Sequence, residues 1–281
     1  MADIYIGIAI MLFAALLAAE GTYRLARRGW RWTTVALAMV CAAGLALNVA
    51  YFRHSLWPAG LLPFSNVMVL GDPNPLLVAV LIGAGARLMP GSPARRSVLL
   101  VPLGALCLWG SYGGLFLRPP PLEERWTGVV CRQTSQATCG PAAAATLLAA
   151  HGIKSSEAEM ANLCLTSIDG TSSRGVYRGL KLKTRGTGLR VEPYFGKFDD
   201  LLKIEGPVLL FVRLDAQPGV DPRYQTKWGW KPGVPHVVVM YRRRPDGRFV
   251  MGDPAVGPEL WDQKAIETLW HGEGIRLVKE K

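Results

Sequence analysis

The chain is predicted to be a four-helix membrane region followed by an α+β globular domain, and three observations predict it. Half of the 281 residues are hydrophobic, a richer share than an ordinary soluble domain needs. They are unevenly spread: the first 117 residues hold eight arginines and three acidic residues, whereas residues 118–281 carry an ordinary mixture of charges. Within that second part the pattern changes from helix-forming runs to short β-rich runs bounded by Gly, Pro and Asp, the order expected of an α+β domain.

The membrane region comes first. Near-continuous apolar runs predict spans at about 4–20, 32–52, 75–89 and 97–117, since about 20 such residues cross a bilayer. The sequence "GDPNP" interrupts 61–89, so 61–74 is expected as a loop or interfacial segment, a kinked or re-entrant pair being the alternative. Asp3 and the lack of a positive N-terminal charge argue against a cleaved signal peptide. Arg24, Arg27, Arg28 and Arg31 follow the first run, and Arg87, Arg95 and Arg96 follow the third. Positive loops stay cytoplasmic, so both termini, and the globular domain, are expected outside the cytoplasm. Small residues at 83–86 ("GAGA") and 112–114 ("YGG") favour close helix packing and offer a route to homo-oligomers. Cys41 and Cys107 are packing residues within spans, and no acidic, basic or histidine cluster of a transport path is visible there.

Residues 118–125 form a Pro-rich linker, and 126–281 the globular domain. "CGPAAAATLLAA" is a helix with Pro141 in its first turn, ended by Gly152. Ser156 and Glu159 make a capping box for a second helix, and "VYRGLKLKTRG" is a third. "LRVEPYF", "PVLLFVRL", "HVVVMYR", "RFVMGDP" and "GIRLVKE" are strands.

One cysteine stands at a helix start, and the question is whether it is a nucleophile. Cys139 would gain thiolate character from the positive end of its helix, but it needs a base. His54 lies at a span edge, His151 at the far end of the Cys139 helix, and His271 in a Gly-flanked turn. His236 alone opens a strong strand. Asp253 ends the next strand, and the "RRPDGR" turn would return it beside His236 to fix the imidazole. Gln133 precedes the cysteine and can offer its amide N–H beside the Cys139 backbone N–H to an oxyanion.

Together, "RQTSQATCGPAAAATLL", "GIKSSEAEMANLC", "DGTS", "PHVVVMYR" and "MGDPAVG" resemble the C39 family of papain-like cysteine peptidases, best known for cutting double-glycine leaders from bacteriocin precursors. The resemblance covers about residues 126–279. It implies a papain-like fold, with Cys139 as nucleophile, His236 as base, Asp253 as orienting acid and Gln133 as oxyanion donor. It also implies a peptide or protein substrate and a place in a bacterial inner or plasma membrane. Two features depart from the transporter-fused members: the sequence has no P-loop, and the peptidase-like part follows its spans. The expected function is therefore a membrane-anchored cysteine peptidase acting on secreted or membrane-associated peptides. A non-catalytic peptide-binding module, or an acyl transferase using the same residues, are the rival readings.

Cys131 and Cys164 could pair in an oxidising compartment or remain two free thiols, and the sequence leaves both open. No Cys/His spacing predicts a metal, no cofactor is implied, and no motif accompanies the modest positive charge to suggest nucleic acid. The loop 215–235 carries Tyr224, Trp228 and Trp230, which either wall a substrate groove or pack on themselves. Arg242, Arg243 and Arg244 read as a solvated hairpin end.

Overall fold

The computed structural model describes residues 1–53, 55–217 and 219–280; His54 therefore lies outside the described residues. The chain divides into two compact units, Met1–Phe116 and Leu117–Lys281.

The first unit is helical: α1 (Ala2–Arg28), α2 (Arg31–Leu47, prolonged by a π turn, Asn48–Phe52), α3 (Pro58–Leu61), α4 (Val67–Leu70), α5 (Asn74–Leu88) and α6 (Pro93–Tyr112, prolonged by a 3-10 turn, Gly113–Phe116). Among the described residues, four segments are long and apolar enough to cross a membrane: Ala2–Arg28, Arg31–Phe52, Val67–Leu88 and Pro93–Phe116. The third reaches into the stretch expected as a loop, because α4 adds a helical turn ahead of the Gly-Asp-Pro break. Asp72 Oδ1 accepts the Asn74 N–H at 3.1 Å and restarts the helix there. Small residues set the helix spacing. A Cβ on Gly83 would lie 2.3 Å from the Ala19 carbonyl oxygen, so α1 and α5 approach backbone to backbone there. Asn48 Nδ2 donates to Asn74 Oδ1 at 2.8 Å in the interior, which satisfies two polar groups that could not be left bare in an apolar setting.

The second unit begins with a small hairpin, β1 (Arg125–Thr127) and β2 (Val130–Arg132), followed by α7 (Cys139–Ala150), α8 (Glu157–Leu163) and α9 (Ser173–Lys183). Then come β3 (Leu189–Phe195), α10 (Phe198–Leu201), β4 (Val208–Arg213), α11 (Arg223–Thr226), β5 (Pro235–Arg243), β6 (Phe249–Asp253), β7 (Gly257–Trp261), α12 (Gln263–Leu269) and β8 (Trp270–Lys279). Six of the strands form one sheet in the order β3-β8-β4-β5-β6-β7, every neighbouring pair antiparallel. This is the α+β arrangement expected, with helices α7 to α9 first and the sheet after them. The small hairpin, β7 and α12 lie beyond the elements read from the sequence.

Local chemistry explains the helix boundaries. Gly152, at φ 75°, lies just past the end of α7. Ser156 Oγ accepts the Glu159 N–H at 3.0 Å, but the reciprocal arm of the expected capping box is absent. Glu159 turns instead to Lys183 Nζ, at 2.5 Å, and to Ser155 Oγ, at 3.0 Å, because a full charge is a stronger partner than a backbone amide.

Strand alternation sorts the core. Val208, Leu210 and Val212 on β4, Val238 and Met240 on β5, Phe249 and Met251 on β6 and Trp261 on β7 form one buried cluster with Leu201, Tyr224, Ile266 and Leu269. The side chains of opposite parity, Leu209, Val237 and Val239, are also buried. No residue of α7 belongs to the first cluster, yet α7 packs against β5. Helix α7 therefore covers the face of Leu209, Val237 and Val239, and α11 and α12 cover the other.

Candidate active site

The cysteine is delivered by two consecutive turns. Residues Gln136–Thr138 form a 3-10 turn that Ser135 and Thr138 cap reciprocally, and α7 begins directly after it at Cys139. Gly140 allows that start to sit against α9: a Cβ there would lie 2.9 Å from Val176 Cγ2 and 3.1 Å from Thr171 Cβ. Cys139 remains partly exposed, whereas Cys131 and Cys164 are buried, and all three are free thiols. Burial, reinforced by the charges of Glu157 and Glu124, pushes the Cys131 thiol up to about 12. Burial also pushes Cys164 up to about 12, against the opposing charge of Arg178. Both are protonated packing thiols at neutral pH.

His236 opens β5 and pairs across to Val212 on β4. The turn after Arg243 returns the chain as β6, whose last residue is Asp253. His236 Nε2 lies 2.8 Å from Asp253 Oδ1, which leaves Nδ1 as the ring nitrogen not used by the carboxylate, and the Cys139 side chain also acts on the imidazole. The same Asp253 Oδ1 accepts the Ala255 N–H at 2.7 Å, so the carboxylate is fixed by its own turn before it meets the imidazole. Asp253 is only 4 % exposed, and a charge so placed needs both partners. Burial alone would lower the His236 pKa, but the hydrogen bonds and charges of Asp253 and Cys139 outweigh it and raise it to about 10. Trp230 packs edge-on against His236, ring centres 5.6 Å apart, and against Trp261 at 5.9 Å.

Gln133 is held by its backbone. Its N–H donates to the Pro254 carbonyl at 3.0 Å, and Arg132 Nε donates to the same carbonyl at 3.1 Å. Thus the loop before Cys139 is stitched to the turn after Asp253. Gln133 Oε1 is buried without a hydrogen-bond partner among the described residues. One residue later, Thr134 is anchored by Glu157, a fully buried carboxylate on α8 that accepts the Thr134 N–H at 2.8 Å and the Thr134 hydroxyl at 2.5 Å.

Cys139, His236 and Asp253 are therefore linked in series, and the Gln133 loop is tied to the Asp253 turn. The other described histidines, His151 and His271, stand apart. His151, just past the end of α7, has a buried Nε2 without a hydrogen-bond partner among the described residues and a pKa lowered by burial. His271, expected in a turn, lies on β8 and bonds the Arg213 carbonyl at 2.9 Å. Among the described residues no group of three or more His, Cys, Asp or Glu side chains could hold a metal ion. Three contributors escaped the sequence reading. Glu157 was visible only as an acidic residue in a helix's first turn. Trp230 was singled out as a groove residue without its contact to His236, and Glu259 belongs to the unanticipated β7.

A cavity of about 530 Å³ adjoins the histidine. Gln133, Tyr224, Trp230, His236, Glu259 and Trp261 are among the residues that line it; Cys139 is not. The loop aromatics Tyr224, Trp228 and Trp230 line this cavity, and Tyr224 and Trp228 also pack together, ring centres 5.0 Å apart.

Comparison with known proteins bears on this domain alone. Residues 127–219 match the model of the Peptidase C39 family. That span includes Gln133 and Cys139 and ends before His236 and Asp253. Similar solved structures include the peptidase domain of Streptococcus ComA, a bifunctional ABC transporter involved in a quorum-sensing pathway; the likeness is 19% identity over 53% of this chain and 96% of that one, TM-score 0.41. A double-glycine-motif protease from an AMS/PCAT transporter, in complex with the leader peptide, shows 19% identity over 57% and 93%, TM-score 0.40. The peptidase domain of Streptococcus mutans ComA shows 18% identity over 53% and 98%, TM-score 0.36. No curated protein matches the chain.

Proposed function

We propose that this domain is a cysteine peptidase, and that the N-terminal helices anchor it in a membrane with the domain outside the cytoplasm. One observation carries the chemistry. A single imidazole is bonded at Nε2 to a buried carboxylate, 2.8 Å away, and stands near enough to Cys139 for that side chain to help raise its pKa. A His236 pKa near 10 keeps the imidazole protonated at neutral pH, and an imidazolium beside sulfur favours the thiolate.

The steps follow from that arrangement. Cys139 sulfur attacks the peptide carbonyl carbon, and the oxyanion meets the Cys139 backbone N–H and the Gln133 amide N–H. Collapse breaks the C–N bond, and His236 gives its proton to the departing amine. Water then attacks the thioester while His236 takes a proton from it. The acid product leaves, and the thiolate–imidazolium pair is restored. Asp253 holds the ring in place throughout. The substrates are peptides or proteins that are secreted or lie at the membrane.

The test is thiol labelling of intact cells with a membrane-impermeant iodoacetamide across pH, read by mass spectrometry with single Cys→Ser variants. Cys139 is expected to label from outside well below pH 8, and His236→Ala to move that profile upward. Labelling only after lysis, with a tag-accessibility control confirming a cytoplasmic domain, would sink the orientation. An ordinary thiol profile would sink the mechanism.

A further inference from the structure

His236 has two sides, one toward Cys139 and one toward the cavity. Cys139 arrives from α7, which covers one face of the sheet. His236 itself has the parity of Val238 and Met240, the face that α11 and α12 cover. The cavity lies on this second side, against Tyr224, Ala265 and Leu269. When a thiol is acylated, the acyl half stays on sulfur and the amine half departs beneath the imidazolium that protonates it. A cavity that touches His236 and Gln133 but not Cys139 stands where the departing half must lie.

Resting on the peptidase reading above, we propose that this cavity receives the leaving-group half of the substrate and that Glu259 selects a cationic residue there, Lys or Arg. Glu259 pairs with Met251 across β6 and β7, so it shares a sheet face with Asp253 and looks into the cavity. Trp261 Nε1–H donates to Glu259 Oε2 at 2.8 Å and fixes the carboxylate; among the described residues no cation pairs with it. Burial first, and then the charge of Asp253, raises its pKa, against the Trp261 hydrogen bond and the charge of His236.

The other acids of the cavity are already engaged. Asp253 serves His236, Asp221 is bonded by Arg223 at 2.8 and 2.6 Å, and Asp262 caps α12 through the Ala265 N–H at 2.8 Å. Among the cations, Arg223 is thereby neutralised, Arg248 is held by Asp246 at 2.8 Å, and Lys227 lies over the Trp228 ring. Lys231 and Lys264 are exposed and leave the inner end to Glu259. Trp230 and Tyr224 supply aromatic faces for an incoming ammonium or guanidinium, and about 530 Å³ is a usual size for a ligand pocket.

The test uses the full chain in detergent micelles and peptides with Lys, Arg, norleucine or Glu at the first or second position after the scissile bond. The kcat/KM ratio of the Lys to the norleucine peptide is expected to exceed about tenfold, the size of one charge-assisted contact. Glu259→Gln, which keeps an acceptor for Trp261, should reduce that ratio about tenfold, and Glu259→Lys should turn the preference toward Glu peptides. In parallel, Lys-Ala-amide and norleucine-Ala-amide are titrated into the Cys139→Ala protein by tryptophan fluorescence, with and without Glu259→Gln. Cleavage with no cation preference, and no change on Glu259→Gln, would overturn the inference while the peptidase stands. Glu259-dependent binding of Lys-Ala-amide without any cleavage would uphold cation selection at the cavity and refute the peptidase. Neither cleavage nor binding would remove both.

Discussion

The two units place their large apolar side chains in opposite ways. In the first, Phe13, Leu16 and Leu106 are 65%, 70% and 70% exposed, while the contacts between helices are made by residues as small as Gly83 and Ala19. In the second, Leu209, Leu210 and Phe249 are buried, and long charged side chains cover the outside. Water explains the second pattern, since apolar area leaves it at a gain of about 25 cal/mol per Å². It does not explain the first, which suits a surround as apolar as the side chains, where helices associate through close packing and a few interior hydrogen bonds such as Asn48–Asn74. The ionisable groups follow the same division: the linked Cys139, His236 and Asp253 all belong to the second unit.

The largest expected effect tests that division of labour. Cys139→Ala should lower peptide turnover by about 10⁴-fold or more and leave the fraction of protein sedimenting with membranes unchanged. Loss of sedimentation with turnover intact would reverse the assignment of roles. The apolar contrast is sharpened by a matched pair. Phe249→Ala should destabilise the second unit by about 3–5 kcal/mol, whereas Phe13→Ala should change the unfolding of the full chain in micelles by less than about 0.5 kcal/mol. Equal effects would mean that Phe13 is buried in a contact. Leu106→Arg should disfavour insertion of the fourth segment by about 3 kcal/mol, seen as a larger alkali-extractable fraction.

A smaller effect concerns positioning. Glu157 touches no reacting atom, yet it holds Thr134, the neighbour of Gln133. Glu157→Ala leaves a buried N–H bare, a loss of about 1–3 kcal/mol. The expected result is a kcat about tenfold lower at nearly constant KM, restored in large part by Glu157→Gln. A fall in stability alone, with kcat intact, would make Glu157 merely structural.

Much of this organisation was legible in the sequence because the signals are local. Apolar runs announce helices of spanning length, Ser156 announces a helix start, and strand residues alternate. The meeting of His236 with Asp253 was also legible, since a hairpin turn fixes the register of the two strands it joins. What stayed hidden depends on distant partners. Glu157 looks like any acid in a first helical turn until the Thr134 loop folds onto it. Strand β7, "GPELW", has a Pro and too few β-formers to stand out, and it pairs because β6 offers an edge. Glu259 is on that strand, so the charge of the cavity was unreadable. The fate of Cys131 and Cys164 was undecidable from spacing, and only their separate burial shows two free thiols.

A further effect is in the pH dependence of stability, and its sign follows from His236. Its folded pKa, about 10, lies above the ordinary histidine value of 6.5. The folded state therefore binds the proton more tightly than the unfolded chain, so the stabilisation is complete below pH 6.5 and is lost as pH rises through 10. Thermal unfolding of the full chain in micelles should accordingly occur at falling temperature between pH 7 and 10, by about 2–4 °C for each kcal/mol lost. Among the described residues the first unit has no comparable pair, so its contribution should not share the slope. Asp253→Asn removes a group that raises the His236 pKa and should flatten the decline, as should Cys139→Ala. A decline of the same steepness in both variants would place the titrating group elsewhere and detach the pH response from the candidate site.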